Sequence, residues 1–157
     1  METLNIYTDG ACDPNPGKGT WAWVCEETGD WDGDFEPKAT NQRMELTAII
    51  EAIKYHLANF PKHKLHIFSD SQYCVKGINE WIIGWKRYNW TNTSGEPVKN
   101  QDLWKQLDEL VDDTHVTIEW IRGHDGHPMN ERADEIAREI FREKTGKELT
   151  DFKSKYR

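Results

Sequence analysis

Apolar and polar residues alternate from the start of the chain, with Leu4, Ile6 and Thr8 set against Asn5, Tyr7 and Asp9, which predicts a first strand ending at Gly10. Residues 20–27 and 30–36 continue the alternation on either side of Thr28-Gly29, the pattern of an antiparallel hairpin. From residue 41 to about 58 the period becomes helical, with Leu46, Ile49, Ile50, Ile53 and Leu57 in one apolar stripe that Pro61 closes. Residues 64–70 form a further strand. Ser71 then caps a short helix, which Gly77 breaks or bends before a second piece carrying Trp81, Ile82 and Trp85. A loop over 88–97 leads to a helix from about residue 100 through Trp104, Leu107 and Val111. Val116, Ile118 and Trp120 predict a last strand, and Asn130 is the expected cap of a final helix through Ile136, Ala137, Ile140 and Phe141. The charged tail beyond Lys144 is expected to be frayed or weakly packed. No repeat or linker divides the chain, so residues 1–157 read as one domain, with 144–157 as its tail.

A chain of 157 residues can bury roughly two thirds of its unfolded surface around a single core. Its three cysteines, Cys12, Cys25 and Cys74, follow no Cys-x-x-Cys pattern, which implies reduced thiols and a cytoplasmic setting. The first residues lack the features of a signal peptide, and no apolar run approaches the ~20 residues of a membrane span. A net charge of −8 counts against a general nucleic-acid binder, which is usually basic. Distribution changes that picture, because Lys76, Lys86, Arg87, Lys99 and Lys105 are interleaved with Trp81, Trp85, Trp90 and Trp104.

The candidate chemistry begins with an echo. Ile-Tyr-Thr-Asp at 6–9 and Ile-Phe-Ser-Asp at 67–70 put Asp9 and Asp70 in the same phase on two strands. If those strands are parallel neighbours, ~4.8 Å apart, the carboxylates converge. Glu45 lines up with Ala48, Ile49 and Ala52 at the edge of an apolar stripe. It is either a metal-bound or paired acid, or a first-turn acid favoured by the helix dipole and leaning into solvent. Asp134, about a turn into its expected helix, borders an apolar face in the same way. Two charges ~5 Å apart repel by roughly 3 kcal/mol at an effective dielectric near 20, so four acids sharing a site require cations. All-oxygen ligation selects magnesium or manganese. His124 and His127 have His-x-x-His spacing without the partners of a zinc site. His124, on a glycine-flanked loop, suits proton transfer, and His127 reads as a surface or loop-packing residue. The loop over 10–19, rich in Gly and Pro, either admits a ligand to its backbone or simply joins two strands.

Tyr-Thr-Asp-Gly at 7–10, Asn-Pro-Gly at 15–17, Asn-Gln-Arg-Met-Glu-Leu at 41–46, Ser-Asp-Ser-Gln-Tyr at 69–73, Arg-Gly-His-Asp-Gly-His at 122–127 and Asn-Glu-Arg-Ala-Asp-Glu at 130–135 occur in this order. Over about residues 3–141 the chain thereby resembles type 1 ribonuclease H of the bacterial kind. The resemblance implies an α/β ribonuclease H-like fold, a mixed five-stranded sheet of three antiparallel and two parallel strands with helices on both faces. It implies an endonuclease that cuts the RNA strand of RNA/DNA hybrids with two Mg2+ ions, Mn2+ being a possible substitute. The ends left would be 5′-phosphate and 3′-hydroxyl, with roles in primer removal and hybrid clearance. Such an enzyme is expected to be a cytoplasmic monomer without an obligate protein partner or membrane contact.

By the same resemblance Asp9, Glu45, Asp70 and Asp134 would hold the metals and His124 would assist proton transfer or product release. Gly10, Asn15, Asn41, Gln42 and Gln72 would lie along the RNA strand, where amides can read 2′-hydroxyls. Thr40 and Asn100, with Lys38 in place of a frequent arginine, would meet a DNA phosphate. Trp81 and Trp85 would face DNA sugars. Lys86, Arg87, Trp90 and Lys99 belong to an insertion that resembles a basic handle, and Trp104 and Trp120 are expected to be structural. In this handle Thr91, Asn92, Thr93, Ser94 and Glu96 stand where more lysines are usual, which implies weaker hybrid binding and a shallower salt dependence. The alternatives are a non-catalytic hybrid-binding module, disfavoured because all four acids are present, and a metal-dependent DNA nuclease of the same fold.

Overall fold

A computed structural model describes residues 2–112, 115–123 and 126–150. Five strands, β1 (Thr3–Cys12), β2 (Gly17–Cys25), β3 (Trp31–Ala39), β4 (Lys64–Ser69) and β5 (Val116–Trp120), form one sheet in the order β3-β2-β1-β4-β5. The pairs β1–β2 and β2–β3 are antiparallel, whereas β1–β4 and β4–β5 are parallel, as the sequence led us to expect.

Alternation along β1 assigns the two faces. Leu4, Ile6 and Cys12 join the large core beneath α1 (Asn41–Asn59), which also takes Trp21, Trp23, Leu46, Ile49 and Ile53. On the opposite face Tyr7 packs with Ala22, Val24, Ala133, Ile136 and Ala137, the last three from α5 (Pro128–Thr145). Helices therefore cover both faces. Thr40 caps α1, its hydroxyl accepting the Arg43 N–H at 3.1 Å.

Between β4 and β5 the chain forms α2 (Gln72–Lys76), a π-type turn over Gly77–Trp81, α3 (Ile82–Arg87) and α4 (Gln101–Asp112). Ser71 caps α2, its hydroxyl accepting from Cys74 N–H at 3.2 Å. At Gly77, where a break or bend was expected, the helix changes to π winding, and packing accounts for the glycine itself. A Cβ on Gly77 would lie 2.1 Å from the ring of Trp104, which is completely buried. Trp104 is thus structural as expected, its indole N–H donating to Tyr73 Oη at 3.0 Å. Cys12, Cys25 and Cys74 are thiols, each buried at a different place in the fold.

Several boundaries differ from the sequence reading. β1 runs on to Cys12 because its pairing with β2 persists through Cys12↔Gly19, so Asp9 lies inside a strand rather than at its end. α5 begins at Pro128, an imino acid suited to a first helical position, and not after Asn130, which is buried within the helix. Asp134 is consequently nearly two turns into α5. Trp120, taken as structural, is 38% exposed, although its indole N–H holds the carbonyl of Asp70 at 3.1 Å. The tail is tied down as far as Thr150: Leu149 is buried with Ala11 and Phe141, and Thr150 N–H donates to Asp13 Oδ2 at 3.2 Å. Its remainder, 151–157, lies outside the described residues.

Replacing Gly77 by Ala tests the contact with Trp104. Overpacking there should cost ~3 kcal/mol against a helix-propensity gain of ~1 kcal/mol, a net loss of about 2 kcal/mol in urea unfolding.

Candidate active site

The parallel register of β1 and β4, running from Thr3↔Lys64 to Tyr7↔Phe68, carries on at the same offset to Asp9 and Asp70. The echoed strands do bring these acids side by side. Glu45 arrives from the first turns of α1. Gly10 permits that approach, since a Cβ there would lie 2.4 Å from the Glu45 nitrogen and the Met44 carbonyl carbon. The Gly10 N–H donates to Glu45 Oε1 at 2.7 Å.

Asp9, Glu45 and Asp70 are 1%, 2% and 3% exposed, and each offers a carboxylate oxygen within 4.8 Å of the other two. Burial this deep removes the reading in which Glu45 leans into solvent. Gly123 closes over the group from the loop after β5, where a Cβ would come within 2.8 Å of Asp70 Oδ2. Three buried carboxylates at such separations are a donor set for a hard divalent cation, which offsets their repulsion. Asp134 faces the same side of the sheet through α5 but is not part of the 4.8 Å group. Its Oδ2 accepts from Arg138 Nε at 2.8 Å. His124 lies outside the described residues.

Asn15, Gln42 and Gln72 are exposed around the acids. Asn15 Oδ1 accepts the Asn41 N–H at 3.1 Å and Asn41 Oδ1 accepts the Cys12 N–H at 2.7 Å, so both amides are oriented with their NH2 groups turned away from those bonds. Gly10 is buried with its N–H given to Glu45. Lys38 is exposed and Thr40 half-buried beside Arg43, around a shallow depression. Asn100, at φ 59°, donates from Nδ2 to Tyr73 Oη at 3.0 Å and accepts from Arg43 Nη1 at 3.4 Å. Arg43 also grips Asp102 through two bonds of 3.0 and 2.8 Å, which hold the Asp102 carboxyl below the usual carboxylate range.

Trp81 and Trp85 sit 5.9 Å apart, centroid to centroid, and Trp85 stands edge-on to Trp104 at 5.1 Å. Trp81, Trp85 and Tyr88 line an open groove of about 710 Å³ with Glu80 and Thr91–Thr93. In the handle Lys86 Nζ pairs with Asp108 at 3.2 Å, and from α4 Lys105 lies over the half-buried Trp90 at 5.8 Å; Lys86, Arg87 and Lys99 are all exposed.

The RNase H family model matches residues 1–142. The chain belongs to the RNase H family. It is 47% identical over 138 residues to a ribonuclease H of Thiobacillus denitrificans, covering 87% of this chain and 91% of that protein. A ribonuclease H of Pseudomonas entomophila is 48% identical over 140 residues, with the same coverage of each chain. Among solved structures, LC9-RNase H1, a type 1 RNase H with the type 2 active-site motif, matches with a TM-score of 0.74 at 27% identity, over 87% of this chain and 71% of that one. A foamy viral protease-reverse transcriptase in complex with RNA/DNA hybrid shares the fold, with a TM-score of 0.76 at 21% identity over 87% of this chain and 20% of that one. The chain is thus an RNase H family enzyme. The family is metal-dependent, and the buried acids of this RNase H could bind a metal. Among the described residues no helix is long and apolar enough to cross a membrane.

Sequence reasoning missed Arg43–Asp102 and Arg138. The second had a signal, since Arg138 lies four residues after Asp134, one helical turn away.

Asp70→Asn removes one of three crowded charges. In metal-free, low-salt buffer it should stabilise the fold by about 1–3 kcal/mol and reduce the rise in melting temperature that MgCl2 produces, both read by differential scanning calorimetry.

Proposed function

We propose that the chain is an endonuclease that hydrolyses the RNA strand of RNA/DNA hybrids with two Mg2+ ions, leaving 5′-phosphate and 3′-hydroxyl ends. The observation that carries this reading is the buried group of Asp9, Glu45 and Asp70, within 4.8 Å of one another in a chain of this family. Asp9, Glu45 and Asp70 would hold the ions, with Asp134 completing the set. Bound Mg2+, or Mn2+ in its place, would supply activation of the attacking water and stabilisation of the departing 3′ oxygen. Because water attacks, no side chain of this chain acts as a nucleophile. The Trp120 indole holds the Asp70 carbonyl, Gly123 leaves room beside the Asp70 carboxylate by having no side chain, and the Gly10 N–H positions Glu45. His124 would assist proton transfer or product release.

Specificity for hybrid needs both strands read. Asn15, Asn41, Gln42 and Gln72 would offer amide groups to the RNA 2′-hydroxyls, with Gly10 admitting the strand closely. Lys38, Thr40 and Asn100 would seat a DNA phosphate. Trp81 and Trp85 would face the DNA sugars across the groove, and Lys86, Arg87, Trp90 and Lys99 would follow the backbone. The enzyme would act as a cytoplasmic monomer in primer removal and hybrid clearance.

A labelled RNA/DNA hybrid tests this. Cleavage is expected with Mg2+, none with chelator, and a loss of at least about 100-fold in the Asp70→Asn variant. Metal-independent cleavage, or full activity in that variant, would sink the mechanism. In a salt titration of binding to the same hybrid, this chain should give a shallower log–log slope than a relative with a lysine-rich handle, by roughly one for each phosphate that no lysine here neutralises.

A further inference from the structure

Asp134 already faces a cation supplied by its own helix. Its Oδ2 accepts from Arg138 Nε at 2.8 Å, and the side chains are only 14% and 20% exposed. The guanidinium is clamped at its other end, where Nη1 donates to the Leu149 carbonyl at 2.9 Å. That carbonyl is itself fixed. Leu149 is 4% exposed against Ala11 and Phe141, Thr150 is tied to Asp13, and Arg142 pairs with Glu148 just after the left-handed Gly146 cap. The segment after α5 therefore holds a charge that cannot be lost by deprotonation beside the acid that stands outside the close group of three.

We propose that Arg138 is a tethered counter-cation that competes with a divalent ion for Asp134 and so sets the metal concentration the site requires. This rests on the assignment of Asp134 as a metal ligand made above. A divalent ion approaching Asp134 meets like charge, and the carboxylate must be shared or released from the pair before it can ligate. Arg138 is in this sense a positioning residue. A pair that only braced α5 would affect stability and leave metal affinity unchanged.

The test is calorimetric titration of the full-length protein with MnCl2, without nucleic acid, for the wild type and for Arg138→Gln, Arg138→Lys, Asp134→Asn and Asp70→Asn. Arg138→Gln should melt lower without metal yet bind Mn2+ roughly three- to tenfold more tightly, and Arg138→Lys, which keeps the charge, should stay near the wild-type affinity. Affinity unchanged or weakened in Arg138→Gln overturns the proposal. If Asp70→Asn binds Mn2+ as tightly as the wild type, the active-site reading fails and this proposal falls with it. If Asp134→Asn alone leaves affinity untouched, the competition has no target: the present inference fails together with the assignment of Asp134 as a ligand, while the reading of Asp9, Glu45 and Asp70 stands.

Discussion

The parallel pairing of β1 with β4 is the constraint on which the site depends. Side chains alternate along a strand, so a slip of one residue would turn Asp70 to the opposite face while leaving Asp9 in place. Register is protected by what the strands carry before the acids: Ile6 and Ile67 are completely buried as partners, and Leu4 and Leu65 nearly so. Apolar burial thereby fixes the placement of charges whose mutual repulsion opposes it. Gly10 plays the same part between sheet and helix, where absence of a side chain lets α1 deliver Glu45.

The surface around the acids is ordered by a second set of polar contacts. Asn15 and Asn41 are linked in series to the backbone of β1, and Asn100 is held between Arg43 and Tyr73. Tyr73 also receives the Trp104 indole, so Asn100 and the tryptophan cluster share one hydroxyl. Ordering polar groups before a ligand arrives reduces the entropy lost on binding.

The separate strands and helices and the grouping of Asp9, Glu45 and Asp70 were legible from local periodicity, whereas the mixed order of the sheet and its two covered faces followed from the resemblance to ribonuclease H. Asp9 and Asp70 share a phase, and Glu45 interrupts an apolar stripe. What was not legible depends on partners distant in sequence. β1 outlasts its own turn signal because β2 continues to pair with it, and Leu149 ends a polar tail yet finds Ala11 across the fold. Gly77 was readable as a break in the helix, but only Trp104 explains why no side chain fits there. The start of α5 was in the sequence as Pro128, and Asn130 drew attention away because its residue type favours caps. Arg138 was half-legible: its spacing from Asp134 suggested the pair, but the clamp at its far end, on the Leu149 carbonyl, depends on a distant segment.

The native thiols turn the molecule into its own probe of local opening. Cys12 lies where β1 meets the loop over 13–16, Cys25 at the end of β2, and Cys74 in α2, and none is exposed. Burial pushes the Cys12 thiol up to about 11, which suppresses its thiolate as well as its access. Modification by an alkylating reagent therefore has to wait for the surrounding structure to part. Three regions, the acid-bearing strand, the hairpin and the short helix α2 after β4, can be timed separately in one unaltered chain, residue by residue, through the mass of each cysteine peptide.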